Sequence, residues 1–271
     1  MALRLPGWWQ DLTSPEFAGL DPEATVAVLP VGAIEQHGPH LPVAVDTCIV
    51  DGIVRAVLAL LPPGAPVLIL PTTAVGKSNE HIDFPGTLTL SADTLTRVWY
   101  EIGTSVRRAG VRKLLLLNSH GGQPQVMQIV ARELRIDHQM LVVAANWFSW
   151  GMPDGLFDSA ELRHGIHGGT VETAMMLALR PDLVDGAAAA DFVPVTVADD
   201  LDCPRLRALG AAGLGWQAQD LNPEGACGDA TRATAEKGRA VLDHVSDRFV
   251  ELLTEVHRFD LKRLDNPPAW Q

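Results

Sequence analysis

The feature that most constrains this chain is a series of short, unbroken apolar runs separated by helical patterns. Thr25 to Val31 (TVAVLPV), Val67 to Leu70, Lys113 to Leu117 (KLLLL) and Leu141 to Asn146 (LVVAAN) each read as a strand. A strand with one wet face would alternate apolar and polar residues; continuous apolar runs fit strands covered on both faces, as in parallel sheets. Pro30 places the end of the first strand, or an irregular exit, near that position. Between the runs, Asp46 to Leu61, Ala92 to Ala109 behind a Ser91 cap, and Gln123 to Ile136 predict helices. Strand, helix, strand, repeated, predicts an α/β sandwich with right-handed crossovers. Gly169 to Leu179 and Thr231 to Arg258 predict two further helices. Asp185 to Ala226, rich in Ala, Gly, Asp and Pro, predicts irregular structure. No Gly/Ser linker or charge run divides the 271 residues, so a single domain over 1-271 is expected.

Charge and composition remove several classes. The formal net charge is −12 and no basic run occurs, which argues against a nucleic-acid partner. The most apolar stretch, Ile53 to Leu70, is interrupted by Pro62, Pro63 and Pro66, so no membrane span is expected. The opening MALRLPGWWQDL lacks the apolar core of a secretory signal. Three scattered cysteines, Cys48, Cys203 and Cys227, suggest neither a disulfide framework nor a zinc knuckle, and a reducing cytoplasmic setting is expected.

In an open parallel sheet, sites form outside the carboxyl ends of the strands. The first strand runs into Gly32-Ala33-Ile34-Glu35-Gln36-His37-Gly38, and the second leads through Pro71 to Asn79-Glu80-His81. The third ends in Asn118-Ser119-His120-Gly121-Gly122, and the fourth in Asn146-Trp147. Imidazoles and carboxylates therefore collect at one edge. Glu35 and His37 are two apart, and in an extended segment such residues point to one side. Asp46 follows at a predicted helix start, and Glu172 sits in the first turn of another. Two imidazoles and three carboxylates suit a pair of divalent first-row ions, zinc, manganese or iron. Each residue alone also has a purely structural reading. Asp46 suits a helix cap, Glu172 complements a helix N-terminus, and His120 and His81 suit local hydrogen bonding. Five ligand-type residues at one edge are harder to explain that way.

These segments resemble the creatininase (creatinine amidohydrolase) family. The resemblance is carried by Val31 to Pro42 (VGAIEQHGPHLP) with Asp46, His81 to Leu88 (HIDFPGTL), Asn118 to Gly122 (NSHGG), His167 to Leu177 (HGGTVETAMML) and Gly228 to Gly238 (GDATRATAEKG). It implies a three-layer α/β/α sandwich, a dinuclear centre of two divalent ions (Zn2+, Mn2+ or Fe2+), amidohydrolase chemistry on a small-molecule amide, and a homohexamer. Carried over, it implies that Glu35 and His120 hold one ion and His37 the other, with Asp46 bridging. Creatinine-cleaving members place an aromatic directly after the strand-end histidine and a carboxylate next, in a segment similar to N-G-H-Y-E-N. Gly121 and Gly122 stand there in this chain. The resemblance therefore points to Glu172 as the fifth ligand, beside His37, and to a branch other than the creatinine-cleaving one. Such branches include formamide hydrolases and a peptidase-like protein that trims a peptide-derived redox-cofactor precursor of the mycofactocin type.

Metal-assisted hydrolysis of a cyclic amide or formamide follows as the expected reaction. It needs an acid for the leaving nitrogen. His167, in a loop freed by Gly168 and Gly169, is the candidate, against a role in shaping the helix entry. Asn118 and Ser119 are expected to orient His120, and Trp147 and Trp150 to wall the pocket or pack in the core. A dinucleotide-dependent oxidoreductase would need G-x-G-x-x-G after the first strand, and Gly32-Ala33-Ile34-Glu35-Gln36 fails that pattern. A catalytically silent assembly protein on the same fold is the other alternative, disfavoured because all five ligand residues are present.

Overall fold

The computed structural model describes residues 4–198, 203, 205–210 and 212–270. Five strands form one sheet in the order β1-β3-β2-β4-β5: β1 Gly7–Trp8, β2 Val26–Val31, β3 Val67–Ile69, β4 Lys113–Asn118 and β5 Leu141–Asn146. All of their pairings are parallel. The four apolar runs are these strands, each within a residue of its expected bounds. β1 is new: two residues are too short to leave a pattern.

Among the described residues, the helices of ten residues or more are α1 Val45–Leu60, α2 Ala92–Arg108, α3 Pro124–His138, α4 Thr170–Leu179 and α5 Ala235–Arg258. The expected Ser91 cap is present, its side chain accepting from the Thr94 N–H. α5 starts later than expected because Thr234 caps it, accepting from the Lys237 N–H, and a separate turn of 3-10 helix occupies Ala230–Arg232. Among the described residues no helix is long and apolar enough to cross a membrane.

The strands alternate between two cores. Val26, Val28, Leu115 and Leu117 pack with Val45 and Ile49 of α1, Met175 of α4 and Val245 of α5. Ala27, Leu29, Leu114 and Leu116 pack with Leu95 and Trp99 of α2 and Val130 and Leu134 of α3. With both faces covered, the two-residue period has no polar side to show, and the runs read as uniformly apolar. Leu29, Leu114 and Leu116 are fully buried, each contributing roughly 1.5–3 kcal/mol relative to exposure. The three-layer sandwich follows directly.

Strand register sets up the edge. Val31 of β2 pairs with Asn118 of β4, and Asn118 pairs with Asn146 of β5. Three strands thus end in line, and the loops leaving them start side by side. The 185–226 stretch is mostly irregular where described. It contains β6 Asp191–Phe192, paired antiparallel with β7 Gly228–Asp229, and a short helix Ala218–Leu221. Residues 199–202, 204 and 211 of that stretch lie outside the described residues.

Candidate metal centre

The five carboxylates and imidazoles singled out in the sequence converge beyond the aligned strand ends. His37 Nε2 lies 3.7 Å from Asp46 Oδ1 and 3.8 Å from Glu172 Oε2. His120 Nδ1 lies 3.1 Å from Glu35 Oε1 and 3.6 Å from Asp46 Oδ2. Asp46 is therefore between the two imidazoles. It sits in the first turn of α1 but does not cap it: the cap position is Ala44, with no side-chain bond. Glu172, in the first turn of α4, accepts from the Gly168 N–H at 2.6 Å. Gly168 holds φ +64°, and a Cβ there would come within 3.0 Å of the His37 carbonyl. Glycine is thus what lets the loop before α4 deliver Glu172 against His37.

Both imidazoles are held by a carbonyl on one nitrogen, leaving the other toward the carboxylates. His37 Nδ1–H donates to the Glu35 carbonyl at 3.0 Å, so Nε2 faces Asp46 and Glu172. His120 Nε2–H donates to the Lys77 carbonyl at 2.8 Å, so Nδ1 faces Glu35 and Asp46. Metal-ligating histidines are commonly fixed this way. Glu35 Oε2, His37 Nε2 and Asp46 Oδ2 are buried with no hydrogen-bond partner. Each such group costs about 1–3 kcal/mol of folding stability, more if charged. A pair of divalent cations fits this donor set, because it would satisfy all three atoms at once. Two groups of potential ligands emerge on this side, His37–Asp46–Glu172 and Glu35–Glu80–His120, and a third joins Glu35, His37 and His167.

The electrostatics agree with a cluster short of positive charge. Burial works against a charged His37, but Asp46, Glu172 and Glu35 more than offset it and hold the imidazole up at about 9. His120 is likewise raised, burial being outweighed chiefly by Glu35 and Glu80. Burial, reinforced by the charge of Glu35, pushes Asp46 up. His167 moves the other way: burial, with His37 and His81 adjacent, keeps it neutral.

Glu80 is the member that the sequence reading did not nominate. It comes from a 3-10 turn at Asn79–His81, on the long connection after β3, and its Oε1 lies 3.2 Å from His120 Nε2. A Cβ built on Gly122 would fall 1.8 Å from that same oxygen. The Glu80 carboxylate thus occupies space that a side chain at 122 would need.

Other residues frame the cluster. Gln36 donates through Nε2 to His81 Nδ1 at 2.8 Å and to the Gly225 carbonyl at 2.8 Å, so the Nε2 of His81 turns toward Glu35 Oε1, 3.5 Å away. His167 Nε2–H donates to the Gln36 carbonyl at 2.6 Å, leaving Nδ1 3.8 Å from Glu35 Oε1. Asn118 orients the backbone of His120, accepting from its N–H at 3.0 Å, rather than its ring. Ser119 does not orient His120; its hydroxyl accepts from Trp147 Nε1 at 2.9 Å. Trp147 borders the site, whereas Trp150 stacks on Phe249 in the core.

The family model for creatininase (creatinine amidohydrolase) matches residues 10–253. The chain belongs to the creatininase family. A mycofactocin precursor peptide peptidase from Mycobacterium ulcerans is 32% identical over 232 residues, 82% of this chain and 82% of that relative. A creatinine amidohydrolase from Pseudomonas putida is 35% identical over 187 residues, 63% of this chain and 70% of that relative. Among solved structures, a creatininase variant of the Zn-Zn type matches with a TM-score of 0.73 and 26% identity, covering 93% of this chain and 98% of that one. This creatininase-family chain is a metal-dependent amidohydrolase in a branch other than the creatinine-cleaving one.

Proposed function

We propose that this creatininase-family chain hydrolyses a carbon–nitrogen amide bond at a dinuclear centre. In this reading Glu35 and His120 would hold one divalent ion and His37 and Glu172 the other, with Asp46, set between the two imidazoles, available to both. Zinc, manganese or both are the ions expected, from the resemblance. The observation that carries the reading is the set of three buried, unpartnered ligand atoms, Glu35 Oε2, His37 Nε2 and Asp46 Oδ2. When bound, two such ions supply Lewis-acid polarisation and an acidified water near neutral pH.

The chain's own residues handle the protons. His167 is neutral with its proton committed to the Gln36 carbonyl, so its free Nδ1 is a base before it is an acid. It takes a proton from the attacking water at Nδ1 and returns that proton to the departing nitrogen, which cannot leave as an anion. Glu35, 3.8 Å from Nδ1, stabilises the imidazolium between those two steps. His81, anchored by Gln36, fixes Glu35 in turn.

The substrate class in this reading is a cyclic amide or formamide. A second reading, trimming of a peptide precursor, is favoured by the match to the mycofactocin precursor peptide peptidase over 82% of both chains. A single domain over 1-271, a cytoplasmic setting and a homohexamer complete the reading, supported by the uninterrupted composition, the cysteine pattern and the resemblance. The test is elemental analysis joined to a hydrolysis panel of cyclic amides, formamides and short peptides with added zinc or manganese. About two ions per chain and turnover of one class are expected; a fully folded protein that takes up no divalent ion would overturn the proposal.

A further inference from the structure

The space among the ligands is small, about 70 Å3, which suits a water or a single small group. The bulk of any substrate must lie beside it. A cavity of about 400 Å3 does so, lined by Trp147, Phe148, Met152 and Leu162, and it shares Gly121, Ile166, Glu172 and Leu209 with the ligand pocket. Its polar walls are already engaged. Trp147 Nε1 donates to Ser119, and the Glu161 carboxylate accepts from the N–H groups of Thr170 and Asp229. Apart from Glu172 at the ligand end, what remains toward the cavity is aromatic and aliphatic. Phe148 and Leu162 are 36% and 53% exposed, apolar surface that a ligand would cover favourably. A second cavity, of about 380 Å3, shares only Ile166 and Leu209 with the ligand pocket, and no ligand residue lines it.

Of the four residues that line both the ligand pocket and the apolar cavity, Gly121 is the one without a side chain. A Cβ built there meets nothing within 4 Å, so no neighbour requires glycine, and a larger side chain would project into open space. We propose that this cavity is a substrate subsite for a bulky apolar group, aromatic or branched aliphatic, attached to the amide being cleaved, and that Gly121 keeps the passage to it open. The inference rests on the dinuclear reading and adds the chemical class of the substrate.

Two hydroxamates separate the ideas, since both chelate divalent ions and differ only in the attached group. Acetohydroxamate carries a methyl and benzohydroxamate a phenyl. Affinities for the zinc-loaded protein are measured by calorimetry, with metal content checked in every sample. Wild type should favour benzohydroxamate by about tenfold or more, from the added apolar area removed from water. Gly121→Leu, which fills the passage, and Phe148→Ala, which removes a wall at a distance from the ligands, should each bring the ratio of the two affinities toward one. Equal binding of both probes to wild type overturns the subsite while leaving the dinuclear reading intact. Binding of neither probe to a protein carrying its metal overturns the reading on which the subsite rests.

Discussion

The two sides of the ligand cluster are built differently. Asp46 and Glu172 come from the first turns of two helices, and His37 from the irregular segment that follows β2. Glu35 and His120 follow strands as well, but their third neighbour, Glu80, arrives on the long irregular connection after β3 and lies where Gly122 has no side chain. One side is thus held by its nearest secondary structure, while the other depends on a loop whose carboxylate Gly122 leaves room for.

Asp46 tests what the sides share. Asp46→Ala should drop metal content from about two ions per chain toward one or none and abolish turnover, because it faces both imidazoles. Retention of both ions in a folded variant would remove Asp46 from the bridging role. Glu172→Gln should be next in size. It leaves the helix and its Gly168 contact largely intact but weakens one ligand set, so elemental analysis should find about one ion per chain with the Glu35 and His120 side still occupied. Loss of both ions equally would mean that the sides are not separable.

Glu80 tests the remodelled side. If it fixes His120 through Nε2, Glu80→Ala should weaken metal affinity about 10–100-fold, the usual size for a group acting through a ligand, with no loss of fold. Gly122→Ala should have a similar effect, since its Cβ would displace the same carboxylate. The double variant should then cost little more than either change alone. Additive losses, measured by competition with a chelator, would show that Gly122 acts independently of Glu80.

The comparison also explains what the sequence could reveal. Glu35-x-His37 was legible because alternation in an extended segment is a local rule, and Asp46 and Glu172 because helix starts are local too. The strand bounds were legible because burial on both faces leaves unbroken apolar runs. Glu80 was visible at the second strand's exit but not assignable. Its position depends on how the chain returns along Ile34, where Leu88 forms a bridge, and no local pattern encodes that. Gln36 is illegible for a related reason: a neutral amide between two ligand candidates carries no signal, yet it ties His81 and the Gly225 carbonyl together. Ser119 bonds Trp147 instead of His120, because adjacency in sequence says nothing about the direction of a hydroxyl at a strand end.

The smallest effect is a pH dependence on the His37 side. In the metal-free protein His37 is raised from 6.5 to about 9, burial being outweighed by Asp46, Glu172 and Glu35. A folded-state value above the unfolded one means that the charged imidazole stabilises the fold. That contribution is present in full below the unfolded value and is lost as pH rises through the folded one. Chelator-treated protein should therefore lose stability as pH rises from roughly 6.5 through 9, measured by urea unfolding, with His120, also raised, losing its own share in the same direction. Metal should reverse the slope on the same axis. Binding must displace the protons of both His37 and His120, so affinity should rise by at least about tenfold per pH unit below about 9. His37→Gln should reduce the slope of the metal-free profile and leave the share that His120 supplies, whereas Glu80→Ala should reduce that His120 share, because Glu80 faces His120. A metal-free protein whose stability climbs over the same interval would show that the three carboxylates do not hold a proton on His37.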